Sequence, residues 1–221
     1  VTTNSQRARS SSRPNRQGSA PLSGWLVGGI IAAVIAVAAV VAVTATAGGD
    51  EASTDGIEQT RPVTITGDAL PAFDDTRPDD AVGLDAPVLS GASFDGTPVA
   101  VEPGAPTLVV FLAHWCPHCQ REVPVLTEWA DNGGVPDGVR VVAVATSTGS
   151  DRPNYPPSEW LEREGFPFPV LADSSTFEAA TAYGLTSYPY FVVVGSDGRV
   201  VARASGEIAP EALSTLLDSV E

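Results

Sequence analysis

The 221-residue chain has no lysine, only two cysteines and two histidines, and no acid among its first 49 residues. Two cysteines allow one disulfide and no cross-linked framework, so a hydrophobic core rather than staples must hold the fold. The missing lysine is a compositional bias that leaves arginine as the fixed cation. Four arginines (Arg7, Arg9, Arg13 and Arg16) lie in the acid-free start, and the other eight face all 27 acids from residue 50 onward. A surface that acidic repels phosphate backbones, which sets nucleic acid aside as a partner. It also keeps a folded domain soluble. No internal repeat appears, and the length suits one good-sized domain plus appendages.

The scarce residues are concentrated. Both cysteines and both histidines fall in Phe111-Leu112-Ala113-His114-Trp115-Cys116-Pro117-His118-Cys119-Gln120-Arg121-Glu122-Val123-Pro124. An apolar run at 107–112 leads into this stretch and a helix-compatible run follows. A Cys-x-x-Cys pair at a strand–helix junction is a redox arrangement. A structural disulfide across two residues closes too short a loop to stabilise much. A zinc site would need four tetrahedral ligands within six residues, which a helix start does not offer. The reading therefore calls for no metal and no cofactor.

Taken in order, residues 1–21 are rich in Ser, Arg, Asn, Pro and Gly and read as a disordered basic cytoplasmic tail. Residues 22–47 read as a transmembrane helix acting as a signal anchor. Its charge-free core at 25–43 spans about 28 Å as a helix, close to a hydrocarbon core of roughly 30 Å. Arginine before it and acid after it put the N-terminus in the cytoplasm. Ala45-Thr46-Ala47 also has the form of a signal-peptide cleavage site, so retention and cleavage both stand. Either way the rest is extracytoplasmic. Residues 48–82 read as an acidic linker reaching roughly 30–35 Å as a flexible coil, with 62–66 able to add an edge strand.

Residues 83–221 read as the folded domain. Asp95-Gly96 signals a hairpin between strands near 87–89 and 99–101. Buried strands at 107–112 and 139–145 flank a helix from Cys116 to about Ala130, with a kink expected at Pro124. A short helix at 157–164, a strand at Val170-Leu171 and an Asp173-capped helix through Tyr183 follow. A hairpin (190–194, 200–204) and a helix from Pro210 complete an α/β sandwich with a central mixed sheet flanked by helices.

With Trp115-Cys116-Pro117-His118-Cys119, Glu122 and Pro124, then Tyr183-Gly184, Ser187-Tyr188-Pro189-Tyr190-Phe191 and Asp197-Gly198, the domain resembles the thioredoxin superfamily. The pattern W-C-x-x-C-x-x-E-x-P and the extra helix and strand at 155–171 are similar to its membrane-anchored TlpA/ResA branch. That resemblance implies a thioredoxin-like fold and a redox disulfide Cys116–Cys119, with Cys116 as nucleophile and Cys119 as resolving cysteine. It also implies a cis Tyr188–Pro189 bond. Two features depart from it. Val110 stands where thioredoxins carry a buried acid, and the Pro-His dipeptide is that of DsbA-type oxidants.

Local chemistry adds to this. Cys116 at a helix start gains from free backbone N–H groups and the positive dipole end, and His118 can add charge or a hydrogen bond to its thiolate. Glu122, one turn beyond Cys119, is either that cysteine's proton manager or an exposed helix carboxylate. Pro189 would face the cysteines and leave neighbouring backbone free for a bound peptide. Trp115 and Tyr188 are candidate substrate contacts, although Trp115 could equally pack on the motif. His114 reads as a semi-exposed loop residue.

The expected activity is thiol–disulfide exchange with exported proteins, with a membrane redox partner recycling the pair and the bilayer holding the N-terminal helix. Oxidation of exported thiols competes with reduction of a maturing protein, for instance apocytochrome c. A peroxiredoxin-type peroxidase is disfavoured because His114-Trp115 occupy the approach where that chemistry uses Thr and Pro. A copper carrier is disfavoured because no histidine follows Cys119.

Overall fold

The computed structural model describes residues 56–220. The transmembrane helix expected at 22–47, the basic tail and the start of the linker lie outside the described residues. Among the described residues no helix is long and apolar enough to cross a membrane.

A five-stranded sheet carries the core. β4 (Thr107–Leu112) lies at its centre and every one of its residues is buried. β5 (Arg140–Ala145) and β6 (Val170–Ala172) extend it in parallel on one side. On the other side β7 (Tyr190–Val194) and β8 (Val200–Ser205) run antiparallel. The order β6-β5-β4-β7-β8 is the mixed sheet of a thioredoxin-like α/β fold. Apolar residues, valine the commonest, fill most of β4, β5 and β7, as strands buried on both faces require.

Helix α1 (Pro117–Asp131) and helix α4 (Pro210–Leu217) share one core cluster on the first face, through Val123, Leu126, Trp129, Leu213 and Leu217. Helix α2 (Pro157–Arg163) adds Trp160 and Leu161 there. The second face packs Phe111, Tyr183 and Tyr190 against a small antiparallel sheet. That sheet consists of β1 (Thr64–Thr66), β2 (Val88–Ala92) and β3 (Pro98–Val101), in that order. The 62–66 segment thus does supply an edge strand, and Gly96 takes φ +88° in the turn that joins β2 to β3.

Two expectations change. Residues 57–82, read as loose linker, lie folded on the domain. Leu70 and Ala81 are buried, the Leu70 amide donates to Ala182 O and the Phe73 amide to Gly184 O. The buried Arg203 guanidinium of β8 holds this strap by donating to Asp79 and to Pro71 O (2.8 Å). The acids at 74–80 suggested full solvation, but Asp79 answers a buried cation some 120 residues away.

The helix expected from Asp173 begins only at Glu178, as α3 (Glu178–Ala182). Asp173 still caps it, from a distance. Its wholly buried carboxylate accepts the amides of Ala179 (2.9 Å), Ala180 (3.2 Å) and Ser174 (2.8 Å), and the Thr146 hydroxyl (2.7 Å). Residues 174–177 form a turn that ends with Phe177 at φ +60°, so the carboxylate reaches the helix across an intervening loop.

Candidate active site

β4 ends against the site. After Leu112 the chain turns, with the Cys116 amide donating to Ala113 O (3.0 Å), and α1 starts at Pro117. Cys116 is the N-cap rather than the first helical residue, and proline follows where a free N–H would be unsatisfied anyway. Cys116 retains 6% exposure, whereas Cys119, one turn on and facing the core, has none. Both thiols are free. Burial pushes the Cys119 thiol well above its ordinary range. The Ala113 amide, 3.4 Å from its sulfur, opposes this, and the neighbouring Cys116 and Glu122 add to it.

Glu122 is no exposed helix carboxylate. It is 1% exposed, its Oε2 accepts the Ile208 amide (3.1 Å), and its buried Oε1 has no partner among the described residues. Burial raises its pKa to about 7. The Ile208 amide pulls it down and the charge of Glu207 adds to the rise.

A stability prediction follows from this shift. The folded-state value lies above the ordinary 4.5. The protonated carboxyl therefore stabilises the fold fully below about pH 4.5, and that contribution is lost as pH rises through 7. The lost stability amounts to about 3 kcal/mol. Urea midpoints of the reduced chain should fall between pH 5 and pH 8, and Glu122→Gln should flatten that fall. An unchanged pH dependence in Glu122→Gln would count against the shift.

The two histidines sit differently from expectation. His114 is 1% exposed, not semi-exposed. With Nδ1 donating to Pro153 O (2.7 Å), Nε2 accepts the Gly149 amide (3.2 Å), the arrangement of a neutral ring. Its burial lowers its pKa. It clasps the 146–156 loop to the motif, because a polar ring at the end of a buried strand must find partners inside. His118 is exposed, and its Nδ1 lies 2.6 Å from Glu207 Oε1 and 2.9 Å from Arg121 Nη2. Among the described residues none of its hydrogen bonds goes to a sulfur.

Trp115 donates its indole N–H to Ser147 O (2.8 Å), meets Tyr188 edge-on at 5.8 Å and lies under the Arg152 guanidinium at 4.4 Å. Tyr188 O–H shares a hydrogen bond with the Ser147 hydroxyl (2.6 Å). Burial raises the Tyr188 pKa, and the ring packs against the core cluster that holds both cysteines. The Tyr188–Pro189 bond is cis, and Pro189 O accepts the Gly206 amide (2.9 Å).

The structure thus brings Trp115, Cys116, Cys119, Glu122 and Tyr188-Pro189 to one rim of the sheet, with His118 just outside. Sequence reasoning missed Glu207 and the 146–156 loop. His118 and Arg121, three apart on one helix face, called for an acid, but nothing local selected which one. Among the described residues no group of three or more His, Cys, Asp or Glu side chains is placed to hold a metal ion.

Comparison with known proteins matches this arrangement. Residues 65–218 fit the Redoxin family model. The methylamine utilization protein MauD of Methylobacillus flagellatus is 28% identical over 126 residues, 55% of this chain and 56% of the relative. The chain therefore spans little more than half of that relative's length. The thiol-disulfide oxidoreductase ResA of Geobacillus thermodenitrificans is 26% identical over 143 residues, 64% of this chain and 79% of the relative. Among solved structures, a protein from Chlorobium tepidum assigned as thiol:disulfide interchange protein DsbE superposes with TM-score 0.53. It has 22% identity and covers 63% of this chain and 98% of that one, a likeness of fold. Since the matched residues span most of the chain and contain the cysteine pair with everything that packs around it, the chain belongs to the Redoxin family, where it is similar to the ResA-like thiol–disulfide oxidoreductases.

Proposed function

We propose that the chain is a thiol–disulfide oxidoreductase that works outside the cytoplasm, exchanging disulfides with exported proteins through Cys116 and Cys119. The observation that carries this reading is the asymmetry of the pair. Cys116 touches the surface at a helix N-terminus, while Cys119 is wholly buried one turn below it, with Glu122 a further turn along the same helix.

In the reducing direction the Cys116 thiolate attacks a substrate disulfide and forms a mixed disulfide, releasing one substrate thiolate. The buried Cys119 thiol is a poor acid where it stands. Glu122, with a pKa of about 7, can take its proton. The Cys119 thiolate then attacks Cys116 Sγ, closing the Cys116–Cys119 disulfide and expelling the second substrate thiolate. Two electrons pass from the pair to the substrate, and the thiol protons go to the released sulfurs. His118 lies in the first turn of α1, where Glu207 pairs with its ring. Trp115, Tyr188 and the cis Pro189 would form the surface for an extended peptide. In this reading residues 22–47 anchor the chain, residues 48–56 link it, and a membrane redox partner recycles the pair.

The test is capture. Cys119→Ser in intact cells should stall the cycle and accumulate mixed disulfides with exported proteins on Cys116. Capture of none overturns the reading. The potential of the wild-type pair decides direction: a value near −270 mV fits a reductant and one near −120 mV an oxidant.

A further inference from the structure

Three consecutive residues after β8 each hold a different part of the site. The Gly206 amide donates to Pro189 O (2.9 Å), and the Ile208 amide donates to Glu122 Oε2 (3.1 Å). Between them, the Glu207 carboxylate faces the first two turns of α1. Its Oε1 lies 2.6 Å from His118 Nδ1, and Arg121 donates from Nε to both oxygens (3.1 Å each) and from Nη2 to Oε1 (2.6 Å). His118 and Arg121 are the only basic residues of α1, and Glu207 engages both.

We propose that Glu207 is a positioning residue and counter-charge, which ties His118 and Arg121 into an ion cluster and holds the Cys116–Cys119 disulfide toward the reducing end of the scale. The proposal rests on the exchange function above and deepens it.

The physics is that of a charge turned into a dipole. A cation near Cys116 favours its thiolate, stabilises the reduced pair and makes the disulfide a stronger oxidant. A Pro-His dipeptide alone would push that way. A carboxylate 2.6 Å from the ring, forked by a guanidinium, cancels one unit of positive charge over distances longer than the pair itself. Glu207 remains an anion across the working range, since the hydrogen bonds from Arg121 first and His118 second hold its carboxyl down to about 2. The same backbone segment fixes Pro189 and Glu122, so the counter-charge is set in register with the rest of the site.

The full chain is equilibrated in glutathione buffers of varied ratio, quenched with acid, and the oxidised fraction is measured. For a unit charge several ångströms away near the surface, Glu207→Gln should lower the constant for oxidation of the dithiol by about three- to tenfold. Tenfold corresponds to about 30 mV. Glu207→Asp should restore most of the wild-type value, and 0.5 M salt should shrink the gap. In a His118→Ala, Arg121→Ala background nothing holds the carboxylate against α1, so Glu207→Gln should have a smaller effect. An unchanged constant in Glu207→Gln, or an equal shift in that doubly substituted background, overturns the assignment. A wild-type chain that never equilibrates with glutathione removes the exchange function and this inference together. A normal wild type with an unresponsive Glu207→Gln removes the inference alone.

Discussion

Cys116→Ser should reduce thiol–disulfide exchange to the uncatalysed background, whereas Cys119→Ser should keep the first step and lose only the second. The difference comes from where the two sulfurs sit. Of the two cysteines only Cys116 has surface exposure, and it occupies the N-cap position of α1. A serine there keeps the shape but offers a hydroxyl that neither ionises at neutral pH nor forms a disulfide. Cys119 has no exposure, so with Cys116 gone its thiol meets no protein substrate. The measurement is the rate of reduction of a small protein disulfide, followed by quenched alkylation, together with mixed-disulfide yield. Exchange by Cys116→Ser at a tenth of the wild-type rate or more would sink the assignment of the attacking sulfur.

The second large effect is on stability. Asp173→Ala should cost about 4 kcal/mol, a sizeable share of the 5–15 kcal/mol that holds an ordinary domain. The carboxylate is fully buried and satisfies three backbone amides and a hydroxyl drawn from two loops and the first turn of α3. Removing it orphans all four donors at once where water cannot replace it. Asp173→Asn retains one acceptor oxygen and should lose roughly half as much. Urea unfolding with an unchanged slope reads both. A loss below about 1 kcal/mol for Asp173→Ala would show that water or loop movement satisfies those donors. The Thr146 contact matters here, because Thr146 begins the loop that Ser147, Gly149 and Pro153 bring to Trp115, Tyr188 and His114.

What could be read in advance follows how local each signal is. The five core strands, α1, the terminal hairpin and α4 were legible because apolar runs, proline at helix starts and Asp-Gly turns act over a few residues. Two cysteines three apart at a strand–helix junction marked the site for the same reason. Apart from the late start of α3, where a four-residue turn follows Asp173, the misreadings are long-range. The strap at 57–82 looked polar because its anchors are few and irregular: Leu70, Phe73 and Ala81, plus an Asp79 whose partner is Arg203. His114 looked like loop because the residues that enclose it, Gly149 and Pro153, come after another helix and strand. Glu122 left two readings open, since helical spacing says which face it shares but not what covers that face. Ile208 and the α4 side of the core do so. Val110, where the resemblance implied an acid, is packed apolar core.

The strap also determines which end of the sheet the chain arrives at. Leu112, Ala145 and Ala172 lie level across β4, β5 and β6, and the residues just beyond them form the rim that bears Cys116. Residues 58–61 dock on that rim: the Arg61 amide bonds Asp173 O, and Gln59 accepts the Ser158 amide. A fluorescent tag, a bead or a fused domain attached just before Gly56 would therefore leave from the β6 side of the end of the sheet that bears the cysteines. The same cargo attached at the 133–138 turn would stand at the opposite ends of the parallel strands.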